Sequence, residues 1–184
     1  MPPLVCRRES SQLVIIDVQE KLCGVMQPQA LATVVKNCAI LLQAAQLLEI
    51  PVLHTEQYPK GLGATVADLG DWLRPENAIE KTCFSCCDEP AFSARLHRDR
   101  PQIVLAGMET HICILQTALQ LHASGKQVFV AEDAVLSRNE THKQNALARL
   151  RHAGIIVSNT ESVIFEWLKA AEGDAFKQVS KLIR

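Results

Sequence analysis

A chain of 184 residues, 48% of them apolar, is long enough to bury one sizeable hydrophobic core and too short for several domains of ordinary size. Its 19 basic and 20 acidic residues nearly cancel, so the chain lacks the cationic surface that binding to a phosphate backbone requires. We therefore expect a single domain over residues 1–184 and no nucleic-acid partner.

The N-terminal sequence Met-Pro-Pro-Leu-Val-Cys-Arg-Arg does not place an apolar stretch after a charged segment, as a secretory signal does. No later apolar run approaches the roughly 20 residues needed to cross a bilayer. The seven cysteines are an odd number, which does not suggest a secreted disulfide framework. These features predict a cytoplasmic protein with reduced thiols and no membrane partner.

Short apolar runs alternate along the chain with segments of helical periodicity. Continuous apolar runs are typical of strands covered on both faces, and apolar residues at three- and four-residue spacing are typical of helices. The predicted strands are 13–18, 50–54, 102–106 and 127–131, with a fifth at 154–157. The predicted helices are 30–48, 110–124, 140–153, 162–171 and 173–182. Because this alternation requires crossover connections, we expect a three-layer, doubly wound α/β fold with a mainly parallel sheet.

Asp17 closes the first apolar run, in the sequence Leu-Val-Ile-Ile-Asp-Val-Gln. In doubly wound sheets, ligands bind beyond the carboxyl ends of the strands, where the strand order reverses. A carboxylate at a strand end serves such a site or caps the loop that follows. The residue by itself leaves both interpretations open.

The long irregular segment at 56–75 follows the second predicted strand and carries Tyr58, Gly61 and Gly63. A long loop within a compact domain is more often a binding element than a spacer. The Gly61-Leu62-Gly63 sequence lacks the lysine and the strand-to-helix context of a nucleotide-binding motif, so it predicts loop flexibility only.

Lys81 follows in a short segment that could form a strand or a loop, and most lysines are solvated surface charges. Next to it, Cys83-Phe84-Ser85-Cys86 has the C-x-x-C spacing of a metal knuckle or a redox pair. Structural zinc needs four ligands, and the chain has no second pair of this kind. We therefore predict neither a metal site nor a cofactor.

Cys113 follows the third predicted strand, in the first turn of the next predicted helix. Converging amide hydrogens and the helix dipole favour a thiolate there, so we expect the thiol pKa to lie below its ordinary value of about 8.5. The same turn offers backbone donors for a developing oxyanion. The alternative for any lone cysteine is a small buried apolar residue.

Asp17, Lys81 and Cys113 form a consistent chemical set if the fold brings them together. The carboxylate can accept the thiol proton, the lysine can hold both charged groups, and the thiolate can attack a carbonyl carbon. The pattern therefore indicates nucleophilic catalysis by a cysteine.

At these residues, and over nearly its whole length, the chain resembles the isochorismatase-like cysteine hydrolase family. The most specific likeness lies in Gly107-Met108-Glu109-Thr110-His111-Ile112-Cys113, and Lys81-Thr82-Cys83-Phe84-Ser85 is a second match. The resemblance implies a catalytic triad of Asp17, Lys81 and Cys113, and an oxyanion hole formed by the backbone amides of Glu109 and Cys113. It also implies a cis peptide between Met108 and Glu109, and a homo-oligomer of at least two subunits.

Residues 54–63, His-Thr-Glu-Gln-Tyr-Pro-Lys-Gly-Leu-Gly, resemble the metal-free branch of the family that includes isochorismatase domain-containing protein 2. Nicotinamidases carry a metal-binding Asp-x-His pair in this loop, and Glu56 and Tyr58 stand in its place here. The departure argues against the metal and against nicotinamide as the substrate. True isochorismatases generally lack the nucleophilic cysteine, so Cys113 implies an acyl-enzyme route on a small amide, carbamoyl or ester substrate.

Gln19, Tyr58 and Phe84 are candidates for the wall of the substrate pocket, and His111 lies near the nucleophile in the sequence. Two other classes of function stay open: a non-catalytic binding or scaffold protein on the same fold, and a flavodoxin-like or receiver-type domain that responds to a nucleotide or a phosphate. A receiver needs clustered acidic residues at the first strand, and the predicted strand 13–18 contains Asp17 alone. The complete triad favours the hydrolase over the scaffold, and thiol reactivity distinguishes the two.

Overall fold

The computed structural model describes residues 4–183. The strands of its sheet are β1 (Ser11–Ile16), β2 (Val52–Gln57), β3 (Ile79–Lys81), β4 (Gln102–Met108), β5 (Gln127–Leu136) and β6 (Ile156–Ser158). Their order across the sheet is β3-β2-β1-β4-β5-β6, and every neighbouring pair is parallel. The predicted doubly wound α/β fold is confirmed, with a sheet that is parallel throughout.

Helices connect the strands and follow the last of them. They are α1 (Glu20–Cys23), α2 (Pro28–Leu47), α3 (Pro59–Leu62), α4 (Pro90–Arg95), α5 (Leu115–Ala123), α6 (Glu140–His152), α7 (Thr160–Leu168) and α8 (Gly173–Val179). Single 3-10 turns occur at Arg8–Ser10, Ala67–Leu69, Pro75–Asn77 and Cys86–Asp88. The predicted helix 110–124 divides into a π-helical turn, Thr110–Ile114, and α5.

Three strand boundaries differ from the predictions in ways that bear on the site. β1 ends at Ile16, so Asp17 lies just beyond the strand. β5 continues five residues past the predicted end at 131, through the charged Glu132 and Asp133. The segment at Lys81 is a strand, β3, in which the exposed Glu80 separates two buried residues. Because β3 has only three residues and a charged one at its centre, the sequence shows no continuous apolar run that would predict this strand.

Alternate residues of β1 pack into two separate apolar clusters. Leu13 and Ile15 join the cluster beneath α2 and α7, whereas Val14 and Ile16 join the cluster beneath α5 and α6. Successive side chains of a strand point to opposite faces, so the sheet is covered by helices on both sides. This is the predicted three-layer arrangement.

Helix α2 has the length and composition that would let it cross a membrane. The expectation that no apolar segment approaches this length is therefore wrong for α2. Its buried side chains, which include Val34, Cys38 and Leu41, pack in the same cluster as the β1 residues Leu13 and Ile15. A helix that covers one face of a central sheet needs such an apolar side, and α2 has this role in the fold.

Gly107 lets β4 pass close to β1 at their carboxyl ends. It pairs with Ile16 in the ladder and has a φ of +116°. A Cβ atom at this position would overlap the backbone of Ile16, so a glycine is required. The strand order reverses between β1 and β4, which is where doubly wound sheets bind ligands. The residues that follow these two strands therefore leave the sheet side by side.

Candidate active site

Asp17 is the first residue after β1 and has a left-handed backbone conformation, with a φ of 52°. Aspartate is among the residues that tolerate this conformation. The Asp17 amide donates to the Thr55 carbonyl at 3.1 Å, and Thr55 Oγ1 donates to Asp17 Oδ1 at 2.7 Å. The carboxylate is completely buried, so its charge must be balanced within the protein.

Lys81 supplies that balance from the end of β3. Its Nζ atom donates to Asp17 Oδ2 at 2.7 Å, to Gln57 Oε1 at 2.6 Å and to the carbonyl oxygens of Cys83 and Phe84 at 3.3 Å. Burial by itself lowers the pKa of Lys81, but the charges of Asp17 and the nearby sulfurs outweigh it and raise the pKa above its ordinary value. Lys81 is therefore a fixed cation surrounded by acceptors.

Cys113 lies in the π-helical turn after β4 and is 6% exposed. Lys81 Nζ lies 3.6 Å from its Sγ atom and also bonds the Asp17 carboxylate, so one ammonium group joins the two side chains. Burial, followed by the negative charge of Asp17, raises the pKa of Cys113 above its ordinary value, and Lys81 opposes this only in part. The predicted lowering of this pKa is wrong, because burial and a nearby carboxylate outweigh Lys81 and the expected effect of a helix terminus.

The peptide bond between Met108 and Glu109 is cis, as the family resemblance implies. The Glu109 carbonyl accepts from the amides of Ile112 and Ile114 at 3.1 and 3.2 Å. Within residues 4–183, the Glu109 amide donates to no protein acceptor. An amide without a partner, in the loop that carries Cys113, is suited to bind a developing oxyanion.

Gln19, a predicted pocket residue, is buried and bonded to backbone groups. Its Nε2 atom donates to the carbonyl oxygens of Gln57 at 3.0 Å and Gly63 at 2.7 Å, and its Oε1 atom accepts from the Gln57 amide at 2.7 Å. Gln19 thus ties the end of β2 to the following loop. These contacts fit a structural role at the edge of the site.

Tyr58 and Phe84, the other predicted pocket residues, are more than half exposed and lie close to Lys81. The Tyr58 amide donates to the Lys81 carbonyl at 2.8 Å, and the Phe84 carbonyl accepts from Lys81 Nζ. A cavity of about 330 Å³ adjoins this part of the site. It is lined by Tyr58, Pro59, Lys60, Glu80, Lys81, Thr82 and Glu89. Of the two aromatic residues, Tyr58 faces this cavity.

Glu56, which stands at the position of a nicotinamidase metal ligand, instead closes the loop after β2. Its Oε1 atom accepts from the Thr65 amide at 2.7 Å and from Thr65 Oγ1 at 2.8 Å. In the described part of the chain, no group of three or more His, Cys, Asp or Glu side chains is placed to hold a metal ion. Cys83 and Cys86, the C-x-x-C pair, are free thiols.

Three side chains that the sequence analysis did not single out also contact the site. Thr55 holds Asp17, Gln57 holds Lys81, and Arg138 bonds the Glu109 carboxylate. Thr55 and Gln57 are two residues apart on β2, so they share a face of the strand. Once β2 is placed beside Asp17, that spacing would identify both residues as candidates for the site. Arg138 carried no comparable sequence signal.

The chain matches the isochorismatase domain over residues 11–162. It is similar to isochorismatase domain-containing protein 2 of Bos taurus, with 42% identity over 179 residues that cover 95% of this chain and 83% of the relative. Among solved structures, it is similar to the MAR1 ribonuclease from Caenorhabditis elegans, with 35% identity and a TM-score of 0.89 over 96% of this chain and 91% of the other.

The YcaC gene product of Escherichia coli, described as an octameric hydrolase of unknown specificity, is 20% identical with a TM-score of 0.89. That match covers 99% of this chain and 92% of the other, and it shows a shared fold. The resemblance to the isochorismatase family, and to its branch with isochorismatase domain-containing protein 2, is confirmed by the domain match and by the relatives. The protein belongs to the isochorismatase family.

Proposed function

We propose that this protein is a cysteine-dependent hydrolase that cleaves a small amide, carbamoyl or ester substrate through a thioester acyl-enzyme. One observation carries the proposal: the buried Lys81 ammonium lies 2.7 Å from Asp17 Oδ2 and 3.6 Å from Cys113 Sγ. This arrangement supports proton transfer from the thiol to the carboxylate beside a fixed cation. Membership of a family of hydrolases supports the same reaction class.

In the proposed acylation step, Asp17 accepts the Cys113 proton while the sulfur attacks the substrate carbonyl carbon. The carbon–sulfur bond forms, and the carbonyl electron pair moves to oxygen, where the amides of Glu109 and Cys113 bind it. The raised pKa of the resting thiol supports deprotonation that is coupled to attack. Lys81 then stabilises the charge that develops on the sulfur.

The tetrahedral intermediate collapses when the bond to the leaving group breaks and Asp17 returns its proton to that group. A water molecule next attacks the thioester, and Asp17 accepts the water proton. The carbon–sulfur bond then breaks, the acid leaves, and Asp17 returns its proton to the Cys113 sulfur, which restores the thiol and the carboxylate. The net reaction adds one water to the substrate and yields an acid and an amine or alcohol.

Acyl transfer to the protein tests this proposal. A panel of small aryl esters, amides and carbamoyl compounds is offered to the protein, the reaction is quenched, and the intact mass is measured. We expect one acyl group on Cys113 and none at this position in Cys113→Ala. Cys87→Ala is the matched control, because Cys87 is a partly buried thiol with no contact to Asp17 or Lys81 among its described hydrogen bonds.

A folded protein that neither turns over nor acylates across the panel would favour the binding or scaffold alternative. Full activity in Cys113→Ala would exclude the cysteine route. Product formation and intact protein mass, both measured for the wild type and for Cys113→Ala, separate these two results.

The name of the C. elegans relative raises RNA as another class of substrate. The net charge of −1 and a nucleophile that is only 6% exposed both favour a small molecule over a polyanion. Incubation with a labelled RNA oligonucleotide at low salt checks this choice. Cleavage that is lost in Cys113→Ala would replace the small-molecule proposal with a nuclease.

We also propose that the protein is a homo-oligomer, as the family resemblance implies. The YcaC gene product is described as octameric, and Val25, Leu47 and Phe165 of the present chain are exposed apolar side chains. Light scattering coupled to size exclusion measures the mass directly. A monomer at tens of micromolar would exclude a stable oligomer. Cytoplasmic location remains a prediction, which imaging of a tagged protein would test.

A further inference from the structure

The Glu109 side chain is held by a residue outside the proposed triad. Its Oε2 atom accepts from the Arg138 backbone amide at 2.9 Å and from Arg138 Nε at 3.1 Å. The Glu109 side chain is 6% exposed, whereas that of Arg138 is 56% exposed. A carboxylate this deeply buried requires a partner that stays in place, and Arg138 supplies both a charge and two directed donors.

The same glutamate carries the amide that is proposed to bind the oxyanion. Its carbonyl is fixed by the amides of Ile112 and Ile114, and its carboxylate is fixed by Arg138. Arg138 lies two residues beyond Leu136, the β5 residue that pairs with Met108 at the end of β4. The ion pair therefore ties the loop after β4 to the loop after β5. Restraints on both sides of Glu109 restrict the direction of its amide.

We propose that Arg138 is a positioning residue, which holds the Glu109 amide in the direction of the oxyanion. This inference rests on the proposed function, because only attack on a carbonyl uses that amide. Arg138 makes no hydrogen bond or ion pair with Asp17, Lys81 or Cys113 in the described structure. Its removal is therefore expected to affect oxyanion binding and to leave the ionisation of the thiol unchanged.

Two reactions of the same sulfur separate these effects. Iodoacetamide reacts with Cys113 by displacement at a saturated carbon, and no oxyanion forms. Attack on an ester carbonyl places negative charge on oxygen, where a well-aimed amide lowers the barrier. A residue that aims the amide must affect the second reaction and spare the first.

The experiment compares Arg138→Ala, Arg138→Lys and wild type, each in the full-length protein, with an aryl ester and with iodoacetamide. Removal of one oxyanion donor typically costs about 100- to 1000-fold in kcat. In Arg138→Ala the amide of Glu109 and the backbone bond to its carboxylate remain, and only the bond and charge of the Arg138 side chain are lost. We therefore expect kcat to fall about 10- to 100-fold, with KM within about threefold. The alkylation rate of Cys113 should stay within about twofold of wild type.

Arg138→Lys should recover part of the kcat that Arg138→Ala loses, since it keeps the positive charge but loses the planar guanidinium. Glu109→Gln keeps the shape of the side chain and removes its charge. It should likewise lower kcat for the ester and leave the alkylation rate of Cys113 unchanged. Arg151→Ala is the matched control, because Arg151 pairs with Glu132 at the surface. It should leave both rates unchanged.

Wild-type turnover in Arg138→Ala would overturn the inference and leave the proposed function intact. Equal losses of turnover and alkylation would also overturn it, because Arg138 would then act through the thiol or the fold. If Arg138→Ala does not fold, as judged by thermal unfolding, the same comparison in Arg138→Lys and Glu109→Gln decides the matter. A wild-type protein that acylates nothing removes the proposed function and this inference together.

Discussion

Asp17 and Cys113 share one hydrogen-bond donor, since Lys81 Nζ lies 2.7 Å from Asp17 Oδ2 and 3.6 Å from Cys113 Sγ, beyond the ends of the neighbouring strands β1 and β4. Asp17 thereby has two opposite effects on the same sulfur. Its charge raises the pKa of Cys113 in the resting protein, and its carboxylate is the proposed acceptor for the thiol proton. Ionisation of the thiol and catalytic turnover should therefore respond in opposite directions when this carboxylate is neutralised.

Asp17→Asn should make Cys113 more reactive toward iodoacetamide and less active toward substrates. Loss of the negative charge lowers the pKa of Cys113 while Lys81 remains to attract the thiolate. A shift of one unit raises the thiolate fraction about tenfold below the pKa, so alkylation at pH 8 should rise about tenfold or more. Turnover should fall by at least about 100-fold, since no proton acceptor remains. Slower alkylation in Asp17→Asn would contradict the assigned charge effect.

Lys81→Met should have the opposite effect on alkylation. Lys81 lowers the pKa of Cys113, so its removal raises that pKa further and should slow alkylation at pH 8 about tenfold. It also leaves the buried Asp17 without its cation, which typically costs about 3–5 kcal/mol of unfolding free energy. Alkylation kinetics and urea unfolding measure the two effects. Lys36→Met, at an exposed position of α2 away from the site, is the matched control, and comparable losses in both variants would count against this role of Lys81.

Gly61→Ala should displace the Tyr58 ring and change substrate affinity. A Cβ atom at position 61 would overlap the Cδ1 and Cε1 atoms of Tyr58, which lines the cavity beside Lys81. If Tyr58 contacts the substrate, Gly61→Ala and Tyr58→Ala should both raise KM, and the double variant should be no worse than Tyr58→Ala. Cys113 alkylation should be unchanged. Additive effects on KM would show that the two positions act independently.

The protein should lose stability above pH 9 because several thiols are buried. Burial raises the pKa of Cys6, Cys38 and Cys86 from 9.0 to about 12. A group whose pKa is raised on folding stabilises the fold below the unfolded value, and this contribution is lost as the pH rises from 9 toward 12. Each such group contributes a slope of about 1.4 kcal/mol per pH unit in that range.

Cys38→Ala isolates one of these groups, since Cys38 is completely buried in the cluster beneath α2. Urea unfolding of this variant and of wild type at several values between pH 8 and 10.5 gives the two slopes. The free energy of unfolding should fall with pH less steeply in Cys38→Ala, by up to about 1.4 kcal/mol per pH unit. The cavity left by the substitution lowers stability at every pH and does not change this slope. Parallel slopes would show that Cys38 does not ionise on unfolding.

Local patterns in the sequence determined most of the secondary structure and the candidate residues. The apolar runs of β1, β2, β4 and β5 and the helical spacing of α2 are properties of neighbouring residues, so they can be seen without a fold. The strand-end position of Asp17 and the first-turn position of Cys113 made these residues candidates, and the resemblance of Gly107–Cys113 to the family motif implied their roles. The segment of β3 stayed open between a strand and a loop, because three residues centred on the charged Glu80 are too few to show a hydrophobic pattern.

The distances and the electrostatic balance of the site were decided by the tertiary structure alone. Lys81 meets Asp17 across 64 positions of sequence and Cys113 across 32, and Arg138 meets Glu109 across 29. The direction of the Cys113 pKa depends on burial and on a carboxylate from another strand, whereas the sequence displayed only the turn in which the cysteine lies. Charges interact through space, and the interaction is stronger where water is excluded. Residues far apart in the chain therefore determine the direction in which the pKa of this thiol shifts.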